Sequence, residues 1–132
     1  MKKLRILLAD DHKIIRDGLK LLVNEQPDMH VVGEAGNGRE VLEKARELKP
    51  NVVVMDLSMP ELNGLEAARQ ILKTVPDVRV LILSVHESEE LVREILDAGA
   101  HGYVLKSDAG RELAAAIHAL RKHETFFTSR VA

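Results

Sequence analysis

Short apolar runs alternate with amphipathic stretches from one end of the chain to the other. Residues 5–9, 30–35, 52–56, 78–84 and 102–105 predict strands. Two of these, 52–55 and 80–83, are apolar without alternation, as strands buried on both faces are. Between them the apolar residues recur at helical spacing. Ile14, Ile15, Leu19, Leu22 and Val23 share one face, as do Val41, Leu42, Ala45 and Leu48. Leu65, Ala68, Ile71, Leu72 and Val75 form the next stripe, then Leu91, Val92, Ile95 and Leu96, then Leu113, Ala116, Ile117 and Leu120. Start and stop signals agree. Asn37 with Glu40 reads as a capping pair, and Ser88 precedes Glu89 and Glu90, favourable charges at a helix start. Pro76 and Gly99 stand where helices should end. The pattern is (βα)₅. It predicts an α/β fold with a doubly wound parallel sheet, right-handed crossovers and helices on both faces. After Lys122 the periodicity fails.

Three of the strand runs end in charges. Asp10 and Asp11 follow the first, Asp56 ends the third and Lys106 follows the fifth. In a parallel sheet these groups collect at the carboxyl edge, where open α/β sheets bind ligands. Three carboxylates and one ammonium around a small crevice suit a divalent cation and a phosphoryl group. Asp56 is the candidate nucleophile, since a carboxylate can form an aspartyl-phosphate. Transfer passes through a loose, charge-rich transition state, so catalysis is mostly positioning and neutralisation. Mg²⁺ takes an oxygen shell with few protein ligands and several waters. Asp11, Asp56 and the Ser58 backbone carbonyl can supply oxygens, and Asp10 can hold a bound water. Lys106 and the Ser84 hydroxyl can contact phosphoryl oxygens. Three neighbouring carboxylates repel, and a cation relieves that.

Composition narrows the choices. A chain of 132 residues suits one domain with a substantial core. Aromatics are only 2 %, namely Tyr103, Phe126 and Phe127, so the core must be aliphatic. The net charge of -2 without long single-sign runs argues against non-specific nucleic-acid binding. Absence of cysteine excludes disulfides and thiolate metal sites. The opening Met1-Lys2-Lys3-Leu4 is followed by an apolar stretch that Arg5 cuts and Asp10-Asp11 stops. Neither secretion nor membrane insertion is expected, and a cytoplasmic location is. Gly33, Gly36 and Gly38 have the wrong order for a dinucleotide fingerprint. The six histidines show no metal-ligand spacing and read mostly as surface residues, with His86 close enough to the site to affect water access.

The sequence resembles the receiver domains of two-component response regulators. The resemblance rests on Leu7-Leu8-Ala9-Asp10-Asp11-His12, on Asp56-Leu57-Ser58-Met59-Pro60-Glu61-Leu62-Asn63-Gly64, on Leu83-Ser84, and on Ala98-Gly99-Ala100-His101-Gly102-Tyr103-Val104-Leu105-Lys106. Finer details are similar to the NarL/FixJ group, whose receivers precede a LuxR-type helix-turn-helix. Those details are Arg16-Asp17-Gly18-Leu19, the turn Gly33-Glu34-Ala35-Gly36-Asn37-Gly38, and Phe126-Phe127-Thr128-Ser129-Arg130-Val131-Ala132. The resemblance implies a flavodoxin-like five-stranded sheet of order 2-1-3-4-5. It implies a receiver over 1–122, with 123–132 a tail or the start of a linker to a DNA-binding domain not in this chain. Asp56 becomes the phosphoacceptor, Asp10 and Asp11 the Mg²⁺-holding pair, Ser84 and Lys106 phosphoryl contacts, and Tyr103 the aromatic whose rotamer follows phosphorylation. Implied partners are a sensor histidine kinase or phosphotransfer protein, a second copy of the chain on phosphorylation, and DNA only through the missing domain. One departure is Ser107, where receivers often carry proline after a cis bond. Before a non-proline residue a cis bond costs roughly 2.5–4 kcal/mol. Two rivals have weaker support. A dehalogenase-like phosphohydrolase would place an acid where Ser58 stands and would need a cap domain. A phosphorylation-independent pseudo-receiver would have lost part of the acidic pair, the acceptor or the lysine, all of which are present.

Overall fold

A computed structural model describes residues 3–86 and 88–127. Strands β1 (Leu4–Ala9), β2 (Met29–Ala35), β3 (Val52–Asp56), β4 (Arg79–Ser84) and β5 (Gly102–Leu105) alternate with helices α1 (Lys13–Asn24), α2 (Gly38–Leu48), α3 (Gly64–Thr74), α4 (Glu89–Asp97) and α5 (Ala109–Arg121). A short strand β6 (Phe126–Phe127) follows. All strand pairs are parallel, in the order β2-β1-β3-β4-β5-β6. The doubly wound order expected from the resemblance is therefore present, with one strand more. The added strand lies in the segment read as a tail. Two residues are too few to show a period. They pair with β5 in a register that sets Phe126 beside Gly102 and Phe127 beside Tyr103. The three aromatic residues of the chain thus meet at one sheet edge. The remainder of that segment, 128–132, lies outside the described residues.

Each face of the sheet has its own aliphatic core. Leu7, Val53, Met55, Ile82 and Tyr103 pack under α2, α3 and α4, while Ile6, Leu8, Val52, Val54 and Leu83 pack under α1 and α5. Both faces of β3 are buried, which explains its unbroken apolar run. The caps form as expected. Asn37 Oδ1 accepts from the Glu40 amide at 2.8 Å, and Ser88 Oγ from the Leu91 amide at 3.1 Å. Glu40 reaches back to the Gly36 amide rather than to that of Asn37. Gly99 takes a φ of 92° just beyond α4.

The amphipathic stripes are less complete than their spacing suggests. In α1, Leu19 and Val23 are buried, but Ile14 is 84 % exposed and Ile15 is 42 % exposed. This helix begins beyond the carboxyl end of β1, so its first turn has no sheet beneath it. In α4, Val92 and Ile95 face the core, whereas Leu96 is exposed.

At the opposite end of the sheet, His101 is clamped between strands. Its Nδ1 accepts the Val80 amide at 3.0 Å, and its carbonyl accepts the Phe126 amide at 3.1 Å. Partial burial, then the charges of Arg79 and His123, lower its pKa from 6.5 to about 4. Between those values the unfolded chain binds the extra proton, so stability rises with pH there and the benefit is lost as pH falls through the window. After allowance for solvent screening of the partly exposed ring, the loss is roughly 1–2 kcal/mol. Urea midpoints recorded from pH 7 to pH 4 should fall more steeply for the parent than for His101→Asn. Parallel curves would reject this role.

Candidate phosphoryl and cation site

Register builds the site. Ala9 lies opposite Met55, so the next residues, Asp10 and Asp56, emerge side by side at the carboxyl edge. Ser84 pairs with Leu105 one strand further on, which brings Lys106 to the same edge. The loop between β3 and α3 is drawn in tightly. A Cβ on Gly64 would stand 2.6 Å from the Asp56 carbonyl oxygen, and one on Gly38 would stand 1.7 Å from that of Leu62. Only glycine permits those approaches.

Asp10 and Asp56 are buried carboxylates, which need a counter-charge. Lys106 provides it. Its ammonium lies 2.9 Å from Asp10 Oδ2 and 3.1 Å from Asp56 Oδ2. Burial pulls the Lys106 pKa down, but its hydrogen bonds and charge pairing with Asp10 and Asp56 outweigh that and hold it above the ordinary value. Burial raises the Asp56 pKa, against the opposing pull of Lys106 and the Ser58 amide, and the Asp10 charge adds to the rise. The Ser58 amide donates to Asp56 Oδ1 at 3.3 Å. The His12 amide donates to Asp10 Oδ1 at 2.9 Å, which fixes the turn after β1.

Asp11 and Ser84 stand around this central triad. Asp10, Asp11 and His12 each offer a ligand atom, all within 4.8 Å of one another. The carboxylates of Asp10 and Asp11 are hard oxygen donors of the kind a divalent cation takes; Asp56, expected beside them as a third ligand, is not in this group and joins Asp10 through Lys106 instead. Ser84 is buried, and its Oγ accepts the His86 amide at 3.0 Å. Tyr103 is also buried, and its hydroxyl donates to the His86 carbonyl. The same peptide segment is therefore held from the site by Ser84 and from the core by Tyr103. Tyr103, the aromatic whose rotamer the receiver resemblance ties to phosphorylation, thus points inward here. Leu57, His86 and Leu91 border an open groove of about 520 Å³ beside α4, so the residues following Asp56 and Ser84 share a surface with that helix.

Two contributors carried little sequence signal. His12 Nδ1 is 3.0 Å from Asp11 Oδ1, although its ring is largely exposed. Only its adjacency to the acidic pair pointed there. Arg16, one helical turn after His12, reaches back to the Asp10 carbonyl. Among the described residues no peptide bond is cis, so the Lys106–Ser107 bond is trans and opens a short 3₁₀ turn, Lys106–Asp108.

The chain is similar to known proteins. Residues 6–118 match the family profile described as response regulator receiver domain. The chain is 42 % identical over 125 residues to the uncharacterized transcriptional regulatory protein YxjL of Bacillus subtilis, covering 95 % of this chain and 57 % of that protein. It is 37 % identical over 128 residues to the response regulator protein VraR of Staphylococcus aureus, covering 97 % of this chain and 61 % of VraR. The chain thus spans about six-tenths of the length of these relatives. The crystal structure of a LuxR-family two-component response regulator from Aurantimonas superposes with a TM-score of 0.94 at 36 % identity, covering 98 % of this chain and 93 % of that one.

Proposed function

This chain belongs to the response regulator receiver domain family, and from that membership we propose that it is a switch thrown by phosphorylation of Asp56. The observation that carries the proposal is the Lys106 ammonium set between two buried carboxylates at a parallel-sheet edge. A carboxylate oxygen of Asp56 attacks phosphorus, the bond from phosphorus to the donor breaks, and the donor leaves with the electron pair. Lys106 swings its charge from the carboxylates to a phosphoryl oxygen. The Ser84 hydroxyl has one proton to give and two lone pairs. It can donate to a second phosphoryl oxygen while still accepting the His86 amide. Asp10, Asp11, Asp56 and the Ser58 carbonyl would hold Mg²⁺. When bound, that cation neutralises developing charge on the phosphoryl group.

The output runs through His86. Phosphoryl contacts at Ser84 fix the loop whose carbonyl Tyr103 holds, and so favour the inward Tyr103 over its alternatives. A ligand shifts such an equilibrium only by its differential contacts with the two states. The surface made by α4, β5 and α5 is then the face presented to a partner domain or a second copy. In this reading the donor is a histidine kinase or phosphotransfer protein, the location is cytoplasmic, and the chemistry is confined to loading and losing the chain's own phosphoryl group. In a longer parent protein residues 1–122 would control transcription through a helix-turn-helix domain beyond the 123–132 segment. The relatives named as transcriptional and response regulators support that assignment. Incubation with acetyl phosphate and Mg²⁺, followed by intact-mass analysis, tests it. One labile phosphoryl adduct per chain is expected. No adduct would favour a pseudo-receiver that binds without phosphorylation, and continuous phosphate release over many turnovers would favour a phosphohydrolase.

A further inference from the structure

We propose that Arg16 is a positioning residue for the acidic pair, holding the Asp10–Asp11 peptide so that the Asp11 carboxylate faces the cation; this rests on the receiver reading above. The Arg16 side chain is only 17 % exposed although it stands on α1 at the rim of the site. Its Nη1 donates to the Asp10 carbonyl at 2.7 Å. Its Nε donates to Glu34 Oε1 at 3.3 Å, on the neighbouring strand β2. The Asp10 amide is tied to the Ala35 carbonyl at 3.0 Å. The turn after β1 is therefore pinned through the Asp10 amide, the Asp10 carbonyl and, via the Asp10 side chain, the His12 amide.

Lys106 holds the Asp10 carboxylate, whereas the carbonyl of the peptide that leads to Asp11 is held by Arg16. Asp11 is partly exposed, and among the described residues its one ion-pair partner is His12, whose ring is largely exposed. Backbone direction must then aim it. The carbonyl that Arg16 grips belongs to the peptide joining Asp10 to Asp11, so the guanidinium sets that direction. Arginine is suited because two different nitrogens of a rigid fork reach two different acceptors. A lysine keeps the charge but cannot span both.

Groups that orient metal ligands from outside the ligand shell typically change metal affinity by 10–100-fold when replaced. Arg16→Lys should weaken Mg²⁺ binding by about tenfold, at the lower end of that range because the site is open to water. Titration calorimetry on the whole chain gives the reading, with thermal melts recorded alongside. Lys20→Met is the control. Lys20 also pairs with Glu34, at 3.4 Å, but among the described residues no hydrogen bond or ion pair joins it to Asp10. Its Mg²⁺ affinity should match the parent's. Glu34→Gln weakens the anchor of Arg16 without touching the Asp10 contact, and should cost about two- to threefold. If Arg16→Lys does not fold, Glu34→Gln decides. A folded Arg16→Lys, or failing that Glu34→Gln, with parental Mg²⁺ affinity would overturn the positioning role. So would an equal loss in Lys20→Met. A parent chain that binds neither Mg²⁺ nor beryllofluoride would instead remove the receiver reading itself, and this inference with it.

Discussion

Asp56→Asn is expected to take up no phosphoryl group under conditions that load the parent chain, while folding normally. The amide is close to isosteric, so β3 and its register with β4 are undisturbed. Its nitrogen lone pair is delocalised and its oxygen carries no full charge, so the nucleophile is gone. Stability should hold or rise. Burial raises the Asp56 pKa above that of an unfolded aspartate, so the ionised group costs stability at neutral pH. For a carboxylate shifted upward, the cost appears as pH climbs through the folded value. Asparagine resembles the protonated form and avoids it. Lys106 keeps Asp10 as its partner in the variant. Intact mass after acetyl phosphate treatment is the measurement. An adduct on the Asn variant equal to the parent's would place the phosphoacceptor elsewhere.

Lys106→Met should have the second largest effect, and it should fall on both stability and rate. Methionine preserves the unbranched stem but leaves Asp10 and Asp56 buried without their shared cation. Removing one partner of a buried ion pair costs about 3–5 kcal/mol. Lys106 is partly exposed and Asp56 can take up a proton, so about 2–3 kcal/mol is expected near pH 7. Without the ammonium, the Asp56 pKa rises further, the folded state holds the proton more tightly, and the variant recovers stability as pH falls. Mg²⁺ should restore part of it at neutral pH, since a cation again faces the carboxylates. Loading from acetyl phosphate should slow by on the order of 10²-fold, the typical effect of losing one preorganised electrostatic partner of the transferring group. Melting curves across pH, with and without Mg²⁺, test the first part and stopped mass analysis the second. A variant as stable as the parent at pH 7 without Mg²⁺ would contradict the account.

Much of this site was legible because its charges interrupt apolar runs. Asp10, Asp11, Asp56 and Lys106 end strands that are otherwise continuous hydrophobic segments, and parallel topology brings such ends together. What stayed hidden depends on where elements stop in space. Ile14 and Ile15 continue the α1 stripe perfectly, yet the sheet ends before reaching them. Phe126 and Phe127 form a strand through pairing with β5 alone, with no local period to announce it. The grip of Arg16 on the Asp10 carbonyl joins a helix side chain to backbone, and backbone acceptors leave no mark in a sequence. Tyr103 was expected near the switch, but its rest position depends on a loop carbonyl at His86, which pattern does not specify.

That loop carries the central claim, that loading Asp56 is felt at the α4–β5–α5 face. Backbone and side-chain NMR of the chain with Mg²⁺, before and after addition of beryllofluoride, tests it most directly. Shifts are expected at Asp10, Asp56 and Lys106, continuing through Ser84 and His86 to Tyr103 and residues 91–96, with the Tyr103 ring signals collapsing to a single inward population. Shifts confined to the loops around Asp10, Asp56 and Lys106, with Tyr103 and residues 91–96 unmoved, would contradict it.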